Sequence, residues 1–257
     1  MASSIEAILA YQQAQAEPDR AQEISRLRDV IKRAKEDGVI DESLPPTRVA
    51  TAREERDRLT REVQDRARAT YMLLEGVRTP TNEDMEALRG ARVFDIEPVS
   101  LGRLVEDHPE HFKRGQMDIL DGRRRSELKN YVPPAMAVVM RFDVLDHPRG
   151  QGEQGFLKVL NAVDDYSESE IKPRNADAQA VLLPASALAQ IDISLAAEGK
   201  ALFSSHCTSV LDNYGAMRIG RGGPAGRLVV GDWVDGLAGV HVRITPGIVF
   251  PKNRSSQ

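Results

Sequence analysis

The chain has 257 residues, of which 41% are hydrophobic and 29% charged; that balance excludes a disordered polypeptide and is enough chain for one large or two modest domains. Thirty-five basic against thirty-nine acidic residues leave a formal charge of -4, without the basic excess of a protein whose whole surface grips nucleic acid. A single cysteine, Cys207, excludes an intramolecular disulfide and a thiolate-pair metal site, and the expected compartment is the reducing cytoplasm. No basic stretch followed by an apolar one opens the chain and no run of about 18 apolar residues occurs, so neither signal peptide nor membrane span is expected.

Only Gly38, Gly76 and Gly90 fall in the first 90 residues, against sixteen glycines afterwards, and all six Phe and Trp233 lie beyond residue 90. Residues 1–90 therefore read as a helical, coiled-coil-like interaction module. Ser3 and Glu6 have capping-box spacing beside Ile5, Ile8 and Leu9. A second helix is expected from Asp19 to Gly38, with Ile24, Leu27, Ile31 and Ala34 at steps of three, four and three, a stripe suited to a partner helix. After Asp41–Pro46 a third helix is predicted from Thr47 to Leu74. Eleven of the sixteen residues Arg53–Arg68 are charged, and Leu59, Val63 and Ala67 form a narrow apolar line among them. Glu54 with Arg58 and Glu62 with Arg66 are spaced to pair, for about 0.2–0.5 kcal/mol each. Ile24, Leu27, Ile31, Leu59 and Val63 are the candidate partner-binding residues, for a second copy or another protein; the alternative is packing within the same chain. Thr81 and Asn82 predict a short helix ending at Gly90, and Ser100–Asp107 another before Pro109.

Residues 91–257 read as a β-rich domain with short helices at its start. Met136–Val144 alternates apolar and polar positions as a half-buried strand does. Further strands are expected at Gly155–Ala162, Gln179–Leu183, Gln190–Leu195, Ala216–Ile219, Arg227–Val234 and Gly239–Thr245, while Lys200–Leu211 fits strand or helix. Short strands punctuated by Gly, Pro, Asn and Asp favour an antiparallel sandwich or barrel over βαβ units. The expected class is α+β: an N-terminal helical module followed by a mainly antiparallel β-sandwich or barrel.

Several clusters invite chemistry. His108 and His111 stand three apart among Glu106, Asp107 and Glu110, but Pro109 separates them and makes His108 a helix cap, and His-Glu-x-x-His is absent. Ser205, His206 and Cys207 are adjacent, whereas a nucleophile and its base normally come from separate segments, so Cys207 reads as a small buried residue. Gly220–Arg227 nominally fits a relaxed dinucleotide pattern, yet the following Leu228-Val229-Val230 is no helix N-terminus to receive a phosphate. A hairpin loop whose tip carries Arg218, Arg221 and Arg227 explains the glycines better. Those three arginines and Arg123, Arg124 and Arg125 are the candidate phosphate-binding residues. Asp164, Asp165, Glu168 and Glu170 read as an exposed acidic loop, and Trp233 as a core anchor.

No catalytic set, metal site or cofactor is expected. The sequence favours a non-enzymatic structural or assembly subunit that pairs with itself or partner proteins through its N-terminal helices, as a component of a viral or phage particle or a bacterial adaptor would. The alternative is a nucleic-acid-binding protein using the arginine patch and the Gly/Arg loop. An enzyme with a pocket assembled only in the fold comes third.

Overall fold

A computed structural model describes residues 46–121, 126–148, 152–203, 206–212, 218–221, 226–231 and 241–252. Outside them lie the first two expected helices with Ile24, Leu27 and Ile31, and likewise Arg123, Arg124, Arg125, Ser205, residues 222–225 and Trp233. The chain divides into two compact units, Met1–Asp57 and Arg58–Gln257. In order, the elements are α1 (Pro46–Glu75), β1 (Val77–Arg78), α2 (Asn82–Ala87), β2 (Arg92–Ile96), α3 (Leu101–Asp107), α4 (Gln116–Leu120) and α5 (Ser126–Asn130). There follow β3 (Met136–Met140), β4 (Leu145–Asp146), α6 (Gly152–Tyr166), β5 (Gln179–Val181), α7 (Ala185–Ala196), β6 (His206–Ser209), β7 (Arg218–Arg221), β8 (Leu228–Gly231), β9 (His241–Ile244) and β10 (Gly247–Pro251).

The third predicted helix is α1. Glu55–Arg58 are exposed, while Val63, Ala67 and Leu74 are buried, with Leu59, Tyr71 and Leu73 packed against the same core. Arg58 reaches Glu62 at 3.4 Å. Arg66, spaced to meet Glu62, instead binds Asn161 at 2.5 Å and pairs with Asp164, both on α6. Thr81 caps α2 as its sequence predicts: its hydroxyl accepts from the Asp84 N–H at 3.2 Å, and the Asp84 carboxylate accepts from the Thr81 N–H at 2.8 Å. Arg78 and Asn175 also bind Asp84, and the guanidinium holds its carboxyl well below the ordinary carboxylate range. Ser100 caps α3 and His108 ends it, again as expected.

The described residues are α+β, as expected, with helices beside mixed and antiparallel sheets. One sheet runs β1-β10-β3-β2, with β5 also on β10, and the other β4-β9-β6-β7-β8. All ladders are antiparallel except β6–β9, and no barrel closes among the described residues. Helix α7 touches both β2 and β7, one strand from each sheet.

Two expected strands are helices. Gly155–Ala162 lies within α6, whose Phe156, Val159, Leu160 and Val163 recur at helical spacing and are buried. Gln190–Leu195 lies within α7, where Ile191, Ile193 and Leu195 imitate a period of two. Eight of its residues are buried, including Ala185, Ala187, Leu188 and Ala189; a helix apolar around most of its girth sits inside a core and leaves no clean stripe to read. Strand β3 ends at Met140; β2 and β10 pair with its two edges, and all five of its residues are buried, so side chains on both faces are covered.

Two sheet edges are closed by glutamine. A carboxamide carries the same donor and acceptor as a peptide unit, so it can stand in for a neighbouring strand. On β8, Leu228 exchanges backbone bonds with His111 and Lys113; Gln116 then donates from Nε2 to the Val230 carbonyl at 2.7 Å and accepts the Val230 N–H at 3.2 Å. Just beyond β2, Gln190 of α7 does the same for Glu97, at 3.0 and 2.8 Å. Gln116 is buried and Gln190 half-buried. Replacing Gln116 by the near-isosteric Met strands a buried N–H and C=O, so Gln116→Met is expected to cost about 2–5 kcal/mol in urea unfolding, against less than about 1 kcal/mol for Gln190→Met, whose peptide group can turn to water.

Candidate functional site

Several polar groups are buried around α7. At its N-terminus the Asp212 carboxylate accepts the Ala185 N–H at 2.5 Å and the Tyr71 hydroxyl of α1 at 3.2 Å. Tyr71 packs against Tyr131, ring centroids 4.9 Å apart. Asp212 is buried, and loss of hydration raises its pKa to about 6 despite the hydrogen bonds it accepts, from the Ala185 N–H, the Tyr71 hydroxyl and its own backbone. One turn into α7 past Leu188, Asp192 receives Nε and Nη2 of Arg221 on β7 at 2.8 and 2.5 Å, and also the Leu202 N–H at 2.9 Å. Arg221 completes its set by donating Nη1 to the Gly226 carbonyl at 2.7 Å. This is a satisfied buried ion pair, the arrangement in which removal of one partner strongly destabilises.

A second cluster lies on sheet β4-β9-β6-β7-β8. His147 Nε2 stands 3.2 Å from the Ser209 hydroxyl, and burial followed by the Arg218 charge lowers the imidazole's pKa, leaving it neutral near pH 7. His206 Nε2 lies 3.1 Å from the Thr245 hydroxyl, with its ring edge-on to Phe203, and burial lowers its pKa as well. Cys207 is buried, as its sequence context suggested, and burial raises its thiol pKa, the opposite of nucleophile activation. Ser209 and His147 have the spacing of a nucleophile and base, but Ser209 is 1% exposed.

The candidate phosphate-binding arginines do not stand together at a loop tip. Arg218 and Arg221 are β7 strand residues with 9% and 8% exposure, so the cationic tip loses two of its three charges to the interior; Arg227 remains exposed. Strands β7 and β8 pair antiparallel, as the hairpin reading requires. Gly220 serves strand contact: a Cβ there would lie 2.5 Å from the Cβ of Cys207. Of the partner-binding candidates, Val63 is buried in this chain's own core and Leu59 packs against it, the arrangement that the alternative of packing within the same chain describes. His108 and His111 rings are 6.1 Å apart at the surface beside Glu110. Asp164, Asp165, Glu168 and Glu170 lie on α6 and the π-helical turn Ser167–Ile171 rather than in a loop, with Lys172 and Arg174 paired to the two glutamates. Among the described residues no group of three or more His, Cys, Asp or Glu side chains is placed to hold a metal ion, and no helix is long and apolar enough to cross a membrane.

What sequence reasoning missed is the apolar surface. Phe142 and Val144, read as part of a strand, occupy the crossover from β3 to β4 and are 39% and 44% exposed. Phe142 adopts φ +62°, a left-handed conformation uncommon for a bulky L-residue and costing on the order of 1–2 kcal/mol. The next residue fixes it: Asp143 accepts the Tyr166 hydroxyl at 2.5 Å and lies 3.4 Å from Arg141 Nε. Elsewhere Met72, half exposed, borders a hollow of about 430 Å³ where α1 ends beside β10.

Comparison with protein-family models, with curated proteins and with solved structures gives no match. Asp212 yields a test of the α7 node. Its folded pKa lies above the ordinary 3.8, so the ionised carboxylate opposes folding at neutral pH and the penalty fades as pH falls through 6 towards 4. Unfolding of wild type and Asp212→Asn should therefore favour wild type by about 2 kcal/mol more at pH 4 than at pH 7.5; a constant difference would contradict the assignment.

Proposed function

We propose that this chain is a non-enzymatic assembly subunit that associates with copies of itself. The observation that carries this reading is Phe142, an aromatic side chain kept on the surface in a strained backbone by a hydrogen-bonded neighbour. Exposed aromatics in rigid settings are the usual anchors of protein contacts, and backbone strain concentrates where function uses it. Groups capable of covalent or acid–base chemistry support the non-enzymatic side of the reading, since Ser209, Cys207, His206 and Asp212 are buried among internal partners.

The amphipathic stripe of Ile24, Leu27 and Ile31 belongs to the same reading as a second contact surface, because an apolar seam at three-four spacing gains most against another helix. The nucleic-acid alternative is weakened by the burial of Arg218 and Arg221. In light scattering the intact chain is expected to exceed the monomer mass of 28.4 kDa, and Leu27→Asp with Ile31→Asp to reduce that mass while circular dichroism of the β-rich unit is unchanged. A monomer at every concentration tested would refute the proposal.

A further inference from the structure

We propose that a hollow of about 200 Å³ where α1, α6 and β5 meet is a binding site for a small neutral molecule carrying a carboxamide group. This site is additional to the self-assembly reading and does not rest on it.

The floor of the hollow is apolar and fixed: Leu160 and Val163 of α6, Val181 of β5 and the following Leu182 are all buried. One edge of β5 is taken by β10, in the register Gly247↔Val181 to Val249↔Gln179. Along the other edge no strand follows among the described residues. There the Ala180 N–H donates to the Ser167 hydroxyl at 3.0 Å, and Leu182, two residues on, shares that edge because peptide groups alternate along a strand. Leu182 is 1% exposed, yet its N–H and C=O have no hydrogen-bond partner among the described residues. Buried peptide groups are seldom left so. This chain answers the same need elsewhere with a carboxamide, Gln116 for Val230 and Gln190 for Glu97. At Leu182 no side chain does so, and a hollow stands in its place; the group that matches one N–H and one C=O there is again a carboxamide, brought by a ligand.

The polar part of the lining selects against charge. Arg66 of α1 is committed to Asn161 and Asp164 of α6, and the ion pair is neutral as a whole. An anionic ligand is repelled by Asp164 and a cationic one by Arg66. Gln179, half-buried in the lining, has no partner for its side chain among the described residues, so it offers both a donor and an acceptor to the ligand. An apolar floor with neutral hydrogen-bonding groups on two sides suits a short branched aliphatic chain with an amide head, about six or seven non-hydrogen atoms in that volume.

The test is an NMR titration of the intact chain with isobutyramide. Saturable shifts are expected at the Ala180 and Leu182 backbone amides, with a dissociation constant on the order of 1 mM. Isobutyrate, which has the same branched chain and a charge, should bind at least about tenfold more weakly. Gln179→Leu should weaken isobutyramide binding by about tenfold. Ala69→Phe, at an exposed helix position in the lining, should fill the hollow and abolish the shifts while thermal unfolding stays the same. Wild-type chain without saturable shifts overturns the proposal, as a hollow that takes up water alone would behave. Isobutyrate binding as tightly as isobutyramide also overturns it, because shape alone is then recognised. Shifts that persist in Ala69→Phe place the ligand elsewhere and overturn it as well. Each outcome is read whether or not the chain associates, so it leaves the self-assembly reading to its own test.

Discussion

The structure of residues 58–257 depends on burying one helix between two sheets. Helix α7 touches both β2 and β7, and three of its polar groups are each met by a different element, whereas its buried Ser186 hydroxyl has no partner among the described residues. Its first N–H goes to Asp212, its Gln190 closes the peptide at Glu97 beyond β2, and its Asp192 takes Arg221 from β7. Apolar burial drives the helix inward. The three polar contacts fix its rotation and depth, since an unpaired carboxylate or peptide group in that interior costs more than the pair returns. They also show why the buried charges need no ligand to explain them.

Much of this was legible in the sequence, and the failures have physical causes. Local signals held where a residue acts on its own backbone: Thr81 and Ser100 as caps, His108 as a helix end before Pro109, and the long charged helix with its Leu59–Val63–Ala67 line. They failed where burial erases periodicity. Ile191, Ile193 and Leu195 alternate as in a strand, but Ala185, Ala187 and Ala189 line the rest of a helix enclosed on nearly all sides. Arginines beside glycines resemble a phosphate loop until a carboxylate 29 residues away claims one of them. No local pattern reports such a partner.

The candidate contact surface was hidden for the opposite reason. Phe142 and Val144 continue the alternation of β3, so a reader of the sequence extends the strand through them. The positive φ at Phe142 ends it instead and turns the two side chains outward. Nothing in residue type marks that position, because a glycine would be the expected occupant of such a backbone. An aromatic kept there at a cost in strain is the observation from which the proposed contact surface is argued. The proposed assembly would use no chemistry from Ser209, Cys207, His147 or His206.

The most direct measurement is sedimentation equilibrium of the intact wild-type chain over a wide range of concentration. The account predicts an average mass that climbs with concentration beyond that of one chain. A mass fixed at one chain throughout would contradict it.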